Sequence, residues 1–147
     1  MSNQSNDSLS EKHEKAGEYW NAHPISTDSV SHARGSDESF EAIYERWERS
    51  MSPRRLAFLK SCRDKRLLEI GCGIAIDGRF FSSNGVDYHA VDMSIVSLRL
   101  AKLHFETKAL PPRFSNADAV RLPFDAGTFD VVYSSGVLHP VPDMEAA

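Results

Sequence analysis

In the second half of the chain, short apolar segments alternate with longer segments of helical character, and this alternation constrains the fold more than any other feature. The segments "RLLEI" (66–70) and "VDYHAVD" (86–92) have the length and apolar content of buried strands. The segment 94–110 is typical of a helix and stops at two prolines. Strands joined through helices pair in parallel, so we predict a Rossmann-like, doubly wound α/β fold with a mainly parallel sheet and flanking helices.

The first half of the chain is organised differently. Residues 1–36 are mostly polar and are predicted to be a flexible N-terminal segment. Residues 37–64 contain two helix patterns, of which the first has Asp37 as its predicted cap and the second begins at Ser52. Residues 65–147 make up the predicted Rossmann-like domain.

The sheet is predicted to lack strands at its C-terminal side. A third strand, "RFSNAD" (113–118), and a fourth, "FDVVYSS" (129–135), are the last ones in the sequence. Open sheets of this architecture usually have more strands, so we expect the domain to be incomplete. An incomplete sheet has an exposed edge, and we therefore expect the chain to be able to self-associate there.

Composition argues against several classes of partner. Lys+Arg 17 against Asp+Glu 21 gives a net charge of −4, so nucleic acid is not an expected partner. No apolar run approaches the roughly 20 residues of a membrane span, and the N-terminus lacks the apolar part of a secretory signal. The two cysteines, Cys62 and Cys72, form no zinc spacing and suit a reducing compartment. The predicted location is the cytoplasm, with no metal site.

The stretch "LLEIGCGIAID" (67–77) is the strongest indication of a ligand site. Glu69 lies near the end of the first strand, and Gly71 and Gly73 follow it. Ligands of open parallel sheets bind beyond the carboxyl ends of the strands. Glycine lets a ligand approach the backbone, and the next helix presents its first amides there. A tight turn with no ligand is the alternative interpretation of the glycines alone.

Two further acidic residues follow predicted strands. Asp92 comes 23 positions after Glu69, close to the offset of about 20 residues at which an acid binds ribose hydroxyls in dinucleotide folds. Asp118 follows the third strand, where its carboxylate could accept a hydrogen bond from an adenine amine. The three carboxylates are therefore predicted to face one crevice.

The turn disfavours a nicotinamide dinucleotide. Ile76 stands where the pattern G-x-G-x-x-G requires glycine or alanine. A pyrophosphate would also be repelled by Glu69 and Asp77. S-adenosylmethionine carries positive charge and no phosphate, so it fits an acidic turn better.

Taken together, these segments resemble the class I S-adenosylmethionine-dependent methyltransferases of the type 11 subgroup. The matching segments are "LLEIGCGIAID", "YHAVDMS", "NADAVRLPFDAGTFDVVYSSGVLHPVPD" and, more loosely, "YWNAHP". The resemblance implies S-adenosylmethionine as the cofactor, a small-molecule methyl acceptor, and a chain cut short at its C-terminus. A non-catalytic cofactor-binding fragment and an NAD(P)-dependent Rossmann oxidoreductase remain the alternatives.

The resemblance also implies which residues bind the cofactor. The turn that starts at Glu69 would carry the methionine part, with Asp77 near its amino end, and Asp92 would hold both ribose hydroxyls. Asp118 would hold the adenine, and Ser134 would lie beside the methyl donor. The full predicted set is Glu69, Gly71, Cys72, Gly73, Ala75, Asp77, Asp92, Met93, Asp118, Ala119 and Ser134.

The sequence departs from the family pattern at two places. Ala75 replaces the usual third glycine, which should narrow the turn. After Leu138 the family often has two histidines, whereas this chain has His139 and Pro140. His139 is the candidate base for an acceptor that must lose a proton, and an ordinary loop histidine is the alternative.

Overall fold

The computed structural model describes residues 15–24 and 31–137 of the 147-residue chain. The helices are α1 (15–22 in its described part), α2 (Asp37–Arg49), α3 (Pro53–Ser61), α4 (Ile76–Ser83) and α5 (Ile95–Thr107). The strands are β1 (Arg66–Ile70), β2 (Asp87–Asp92), β3 (Phe114–Asn116) and β4 (Val131–Ser134).

The four strands form one parallel sheet in the order β3-β2-β1-β4, which confirms the predicted Rossmann-like α/β fold. Strand β1 lies in the interior of the sheet, where Leu67 is in register with Tyr88 of β2 and Val131 of β4. A parallel sheet is covered on both faces, so its central strand is apolar almost throughout. Consistent with this, four of the five residues of β1 are buried.

The two faces of the sheet belong to separate cores because side chains alternate along a strand. Leu67 of β1 packs in the main core with Phe81 of α4 and Phe105 of α5. Leu68 and Ile70, on the opposite face, belong to a second core formed with the segment between β3 and β4. Glu69 therefore points to the same face as Leu67, beneath the helices.

Serine side chains cap three of the helices. The Ser36 side chain accepts a hydrogen bond from the Ser39 amide at the start of α2, and Ser52 and Ser94 cap α3 and α5 in the same way. The predicted cap at Ser52 is thus confirmed. Asp37 is instead the first residue of α2, because the preceding Ser36 has the extended backbone that a cap requires.

Two other segments differ from the sequence-based expectation. Residues 15–22 are helical although they lie in the stretch predicted to be flexible, and the hydroxyl of Ser94 lies 3.2 Å from the Trp20 carbonyl oxygen. Strand β3 is shorter than predicted: its last pairing with β2 is that of Asn116 with Asp92, and Asp118 then pairs with Arg121 in an isolated antiparallel bridge. Within the described residues, no helix has both the length and the apolar character that crossing a membrane requires.

Candidate functional site

The carboxyl ends of β1 and β2 are joined by the backbone of the glycine turn. The amides of Gly71 and Cys72 both donate to the carbonyl oxygen of Val91, at 2.8 and 3.2 Å. The Gly73 amide donates to Oδ2 of Asp92 at 2.8 Å. The turn is therefore folded onto the end of β2. This brings Asp92 against the glycine turn that follows Glu69, as predicted from the sequence.

The turn uses a left-handed backbone at every second residue. The φ angles are 72° at Gly71, 54° at Gly73 and 56° at Ala75. Apart from its two chain neighbours, no described residue has a heavy atom within 4 Å of a β-carbon placed on Gly73, so the space beside this residue is open. Ala75 is fully buried, and its methyl group lies in the main core. The open space beside Gly73 is where a ligand can reach the backbone.

Helix α4 begins directly at this open space. Ala75 occupies the cap position and provides no side-chain hydrogen bond. The first-turn amides of any helix lack an intrahelical acceptor, and those of α4 receive none from the cap side chain either. The helix N-terminus is also the positive end of the helix dipole. This end of the sheet can thus bind a carboxylate through backbone amides.

Asp92 holds the turn and the start of α5 with one carboxylate. Its Oδ2 accepts from the Gly73 amide, and its Oδ1 accepts from the Ser94 amide at 2.8 Å. Burial raises the pKa of the Asp92 carboxyl, and these two amides oppose that increase. An ionised carboxylate offers about four acceptor positions, so Asp92 keeps acceptor capacity for a ligand's hydroxyl groups.

Glu69 lies beneath the turn rather than at its surface. Its side chain is 4% exposed, and the Tyr88 hydroxyl donates to its Oε2 at 2.5 Å. Burial raises the pKa of the Glu69 carboxyl well above its ordinary value, and the negative charge of Asp77 raises it further. Cys72 is also buried, and burial raises the pKa of its thiol, so it is not a reactive thiolate.

Asp77, which is 7% exposed, is bound by three protein side chains. Nη2 of Arg55 lies 2.8 and 2.7 Å from its two carboxylate oxygens. Tyr133 donates to Oδ2 at 2.9 Å, and Trp47 Nε1 donates to Oδ1. We call these four residues the Asp77 cluster. Burial, followed by the charge of Asp77, raises the pKa of Tyr133 to about 12.

The remaining predicted residues lie at the ends of β2, β3 and β4. The Met93 carbonyl oxygen accepts from Asn116 Nδ2 at 3.0 Å, and Asp118 Oδ1 accepts from the Val120 amide. Ala119 packs against the second core. Ser134 donates to the Ile70 carbonyl oxygen at 3.1 Å, which ties β4 to the end of β1. His139 lies outside the described residues.

Several residues that shape the site were not predicted from the sequence. Tyr88 and Arg55 contact the two buried acids from elements distant in sequence, so no local pattern could have indicated them. Asn116 and Ser94 could have been found, because an Asn after a strand and a Ser before a helix are common capping and turn residues.

Comparison with known proteins identifies the class to which this fold and site belong. The profile of a family described as "Methyltransferase domain" matches residues 68–147, more than half of the chain. The chain therefore belongs to this family, and its parallel sheet and glycine turn are those of a class I S-adenosylmethionine-dependent methyltransferase.

Curated relatives align with most of this chain, but the aligned region is only about half of each relative. The ubiquinone biosynthesis O-methyltransferase of Bordetella avium is 26% identical over 120 residues, covering 72% of this chain and 50% of that protein. The protein of the same name from Chromobacterium violaceum is 28% identical over 114 residues, covering 75% and 47%. The chain thus spans about half the length of these relatives.

Solved structures show the same fold. The magnesium protoporphyrin IX methyltransferase of Synechocystis PCC 6803, solved with bound SAM, has a TM-score of 0.63 at 17% identity, covering 91% of this chain and 66% of that one. The YcgJ protein of Bacillus subtilis has a TM-score of 0.57 at 26% identity, covering 61% and 40%.

Proposed function

We propose that this chain binds S-adenosylmethionine at the carboxyl ends of β1 and β2 and supplies the cofactor site of an enzyme that methylates a small molecule. The observation that carries the proposal is the arrangement around Asp92. Its carboxylate fixes the turn through Gly73 and still has capacity to accept the two ribose hydroxyls.

Groups that could bind the other parts of the cofactor lie at the same carboxyl ends of the strands. The first amides of α4 suit the carboxylate of the methionine part, and the turn that would carry that part lies directly above the buried Glu69. The open space beside Gly73 admits the ligand to the backbone. We propose Asp118 and Ala119 as the adenine contacts, and Met93 and Ser134 as further lining residues.

The proposed reaction needs little from the protein beyond alignment. The cofactor supplies a methyl group that is already activated by the sulfonium. During transfer, the bond from sulfur to the methyl breaks, a bond to the acceptor's nucleophile forms, and sulfur keeps the electron pair. The residues of this chain hold the cofactor and exclude water. A base is needed only when the acceptor must lose a proton, and His139 is our candidate for it.

The names of the curated relatives support a small molecule with an oxygen nucleophile as the acceptor. Both proteins described above are named ubiquinone biosynthesis O-methyltransferases. The absence of a basic excess in the sequence, with a net charge of −4, also supports a small molecule over nucleic acid.

A labelled-methyl assay tests this proposal. The protein is incubated with S-adenosylmethionine labelled in its methyl group and with a whole-cell extract, and the label is followed into separated protein, nucleic-acid and small-molecule fractions. From a chain that spans about half of its relatives we expect at most weak transfer, with the label in the small-molecule fraction and less of it with Asp92→Asn. Label in protein or nucleic acid only, or transfer that does not depend on Asp92, would contradict the proposal.

A further inference from the structure

Two carboxylates near the turn differ in how many of their acceptor positions the protein occupies. Asp92 accepts two backbone amides. Asp77 accepts four contacts, two from Arg55 and one each from Trp47 and Tyr133. A carboxylate offers about four acceptor positions, so Asp77 is saturated by its protein partners, while the described residues occupy only two of the positions of Asp92.

The partners of Asp77 come from elements that lie outside the turn. Asp77 itself is in the first turn of α4, directly after the glycines. Trp47 belongs to α2, Arg55 to α3 and Tyr133 to β4. The Asp77 cluster therefore joins the start of α4 to two helices and to the neighbouring strand, and it fixes the direction in which the first amides of α4 point.

We infer that Asp77 and Arg55 are positioning residues of the cofactor site. They hold the start of α4 over the end of β1 and do not contact the cofactor. This inference rests on the proposed function. Arg55 supplies the positive charge that a buried carboxylate needs. The charge of Arg55 also lowers the pKa of the Glu69 carboxyl, against the effect of Asp77.

The chain offers a matched control for Arg55. Arg79 is in α4, as Asp77 is, and forms an ion pair with Glu41 of α2 through two contacts of 2.9 and 3.1 Å. This ion pair joins α4 to a neighbouring helix, as the Asp77 cluster does, but it makes no contact with Asp77. Arg79→Met therefore removes a link of the same kind without touching the start of the helix.

Hydrogen exchange of the ligand-free chain tests the inference without any cofactor. We expect Arg55→Met to speed exchange of the hydrogen-bonded amides of Gly71, Cys72, Gly73 and Ala75 by about tenfold, the effect of roughly 1.4 kcal/mol, and Arg79→Met to leave them unchanged. Arg55→Lys should restore most of the protection, because a single nitrogen of Arg55 makes both carboxylate contacts. Unchanged exchange in Arg55→Met, or an equal effect of Arg79→Met, would overturn the inference.

Titration with S-adenosylhomocysteine then distinguishes a positioning residue from a ligand. At a temperature where circular dichroism shows folded protein, Arg55→Met should bind about tenfold more weakly, the effect of roughly 1.4 kcal/mol. Asp77→Asn alone should cause a similar loss, and adding it to Arg55→Met should cost little more, because either change already breaks the same link. If Asp77 bound the cofactor, adding Asp77→Asn to Arg55→Met would weaken binding further, which would overturn the inference. A wild-type chain that does not bind would instead refute the proposed function, and hydrogen exchange would still decide the inference.

Discussion

Gly78 of α4 lies directly against the hydroxyl group of Tyr88, so that a β-carbon at position 78 would overlap Tyr88 Oη. The same hydroxyl donates to Oε2 of Glu69. Because position 78 has no side chain, Tyr88 of β2 reaches the buried acid of β1 beneath the helix. The packing of α4 on the sheet and the burial of Glu69 thus depend on the absence of a side chain at position 78.

We expect Gly78→Ala to lower the free energy of unfolding by about 2–4 kcal/mol, because it overpacks the core and displaces a hydrogen bond to a buried carboxylate. Chemical denaturation measures the change. Gly17→Ala is the matched control, since a β-carbon on Gly17 would lie within 4 Å of no described residue outside its own stretch of helix. Gly17 is also in a helix, so this control should leave stability equal or raise it by up to about 1 kcal/mol. Equal destabilisation by both variants would contradict the account.

The sequence predicts the parts of this fold that depend on local pattern. Alternating apolar segments indicate β1 and β2, and a Ser-Pro pair correctly indicates the start of α3. The partners of Asp77 could not be predicted in this way. Arg55, Trp47 and Tyr133 lie 22, 30 and 56 positions from it, and only the packing of helices on the sheet brings them together.

The position of Glu69 shows the same limit. Its place near the end of a strand suggests an acid at the mouth of the crevice. The alternation of side chains instead turns it to the helix-covered face, where Tyr88 and not solvent contacts it. The sequence indicates which end of the sheet forms the site, but the depth of each acid depends on packing.

His104 is a buried histidine that supports the turn from below. Its Nδ1 lies 3.0 Å from the carbonyl oxygen of Ile74, its ring stacks on Phe40, and its Nε2 has no partner among the described residues. Burial lowers the pKa of His104 from 6.5 to about 4. The folded chain therefore holds a neutral imidazole at neutral pH.

We expect this histidine to make the folded state less stable in acid. Below about pH 6.5 the unfolded chain binds a proton that folded His104 does not take up until about pH 4, so stability falls across this window. The loss between pH 7 and pH 5 should be about 2 kcal/mol. Denaturation of wild type and His104→Gln at both pH values isolates the contribution of His104. The raised pKa values of Glu69 and Asp92 change stability in the opposite direction, but they do so in both proteins. Identical pH dependence in the two proteins would refute this assignment.

Gly73→Ala should separate ligand binding from folding. The new methyl group meets no described residue other than its chain neighbours, so the cost in stability is about 1–2 kcal/mol from the left-handed backbone alone. The methyl would occupy the space proposed for the cofactor, so affinity for S-adenosylhomocysteine should fall by much more than stability does. Thermal melts measure the change in stability and calorimetric titration the change in affinity. Retained affinity would show that the ligand does not bind beside Gly73.

Asp92→Asn should weaken S-adenosylhomocysteine binding at least tenfold, since each hydrogen bond to a charged acceptor contributes about 1.5–3 kcal/mol. Asp130→Asn is the matched control. The Asp130 carboxylate also accepts a backbone amide, that of Arg66 at 2.8 Å, but at the opposite end of β1. Calorimetry should show near wild-type affinity for this control, and equal losses in the two variants would exclude Asp92 as a ligand.

The turn between β1 and α4 is expected to bind an S-adenosyl compound and not a dinucleotide. Isothermal titration calorimetry of the whole chain with S-adenosylhomocysteine and, separately, with NADH tests this most directly. The acidic turn and the open space beside Gly73 predict saturable binding of S-adenosylhomocysteine, with no saturation by NADH. Saturable binding of NADH together with no binding of S-adenosylhomocysteine would contradict the account.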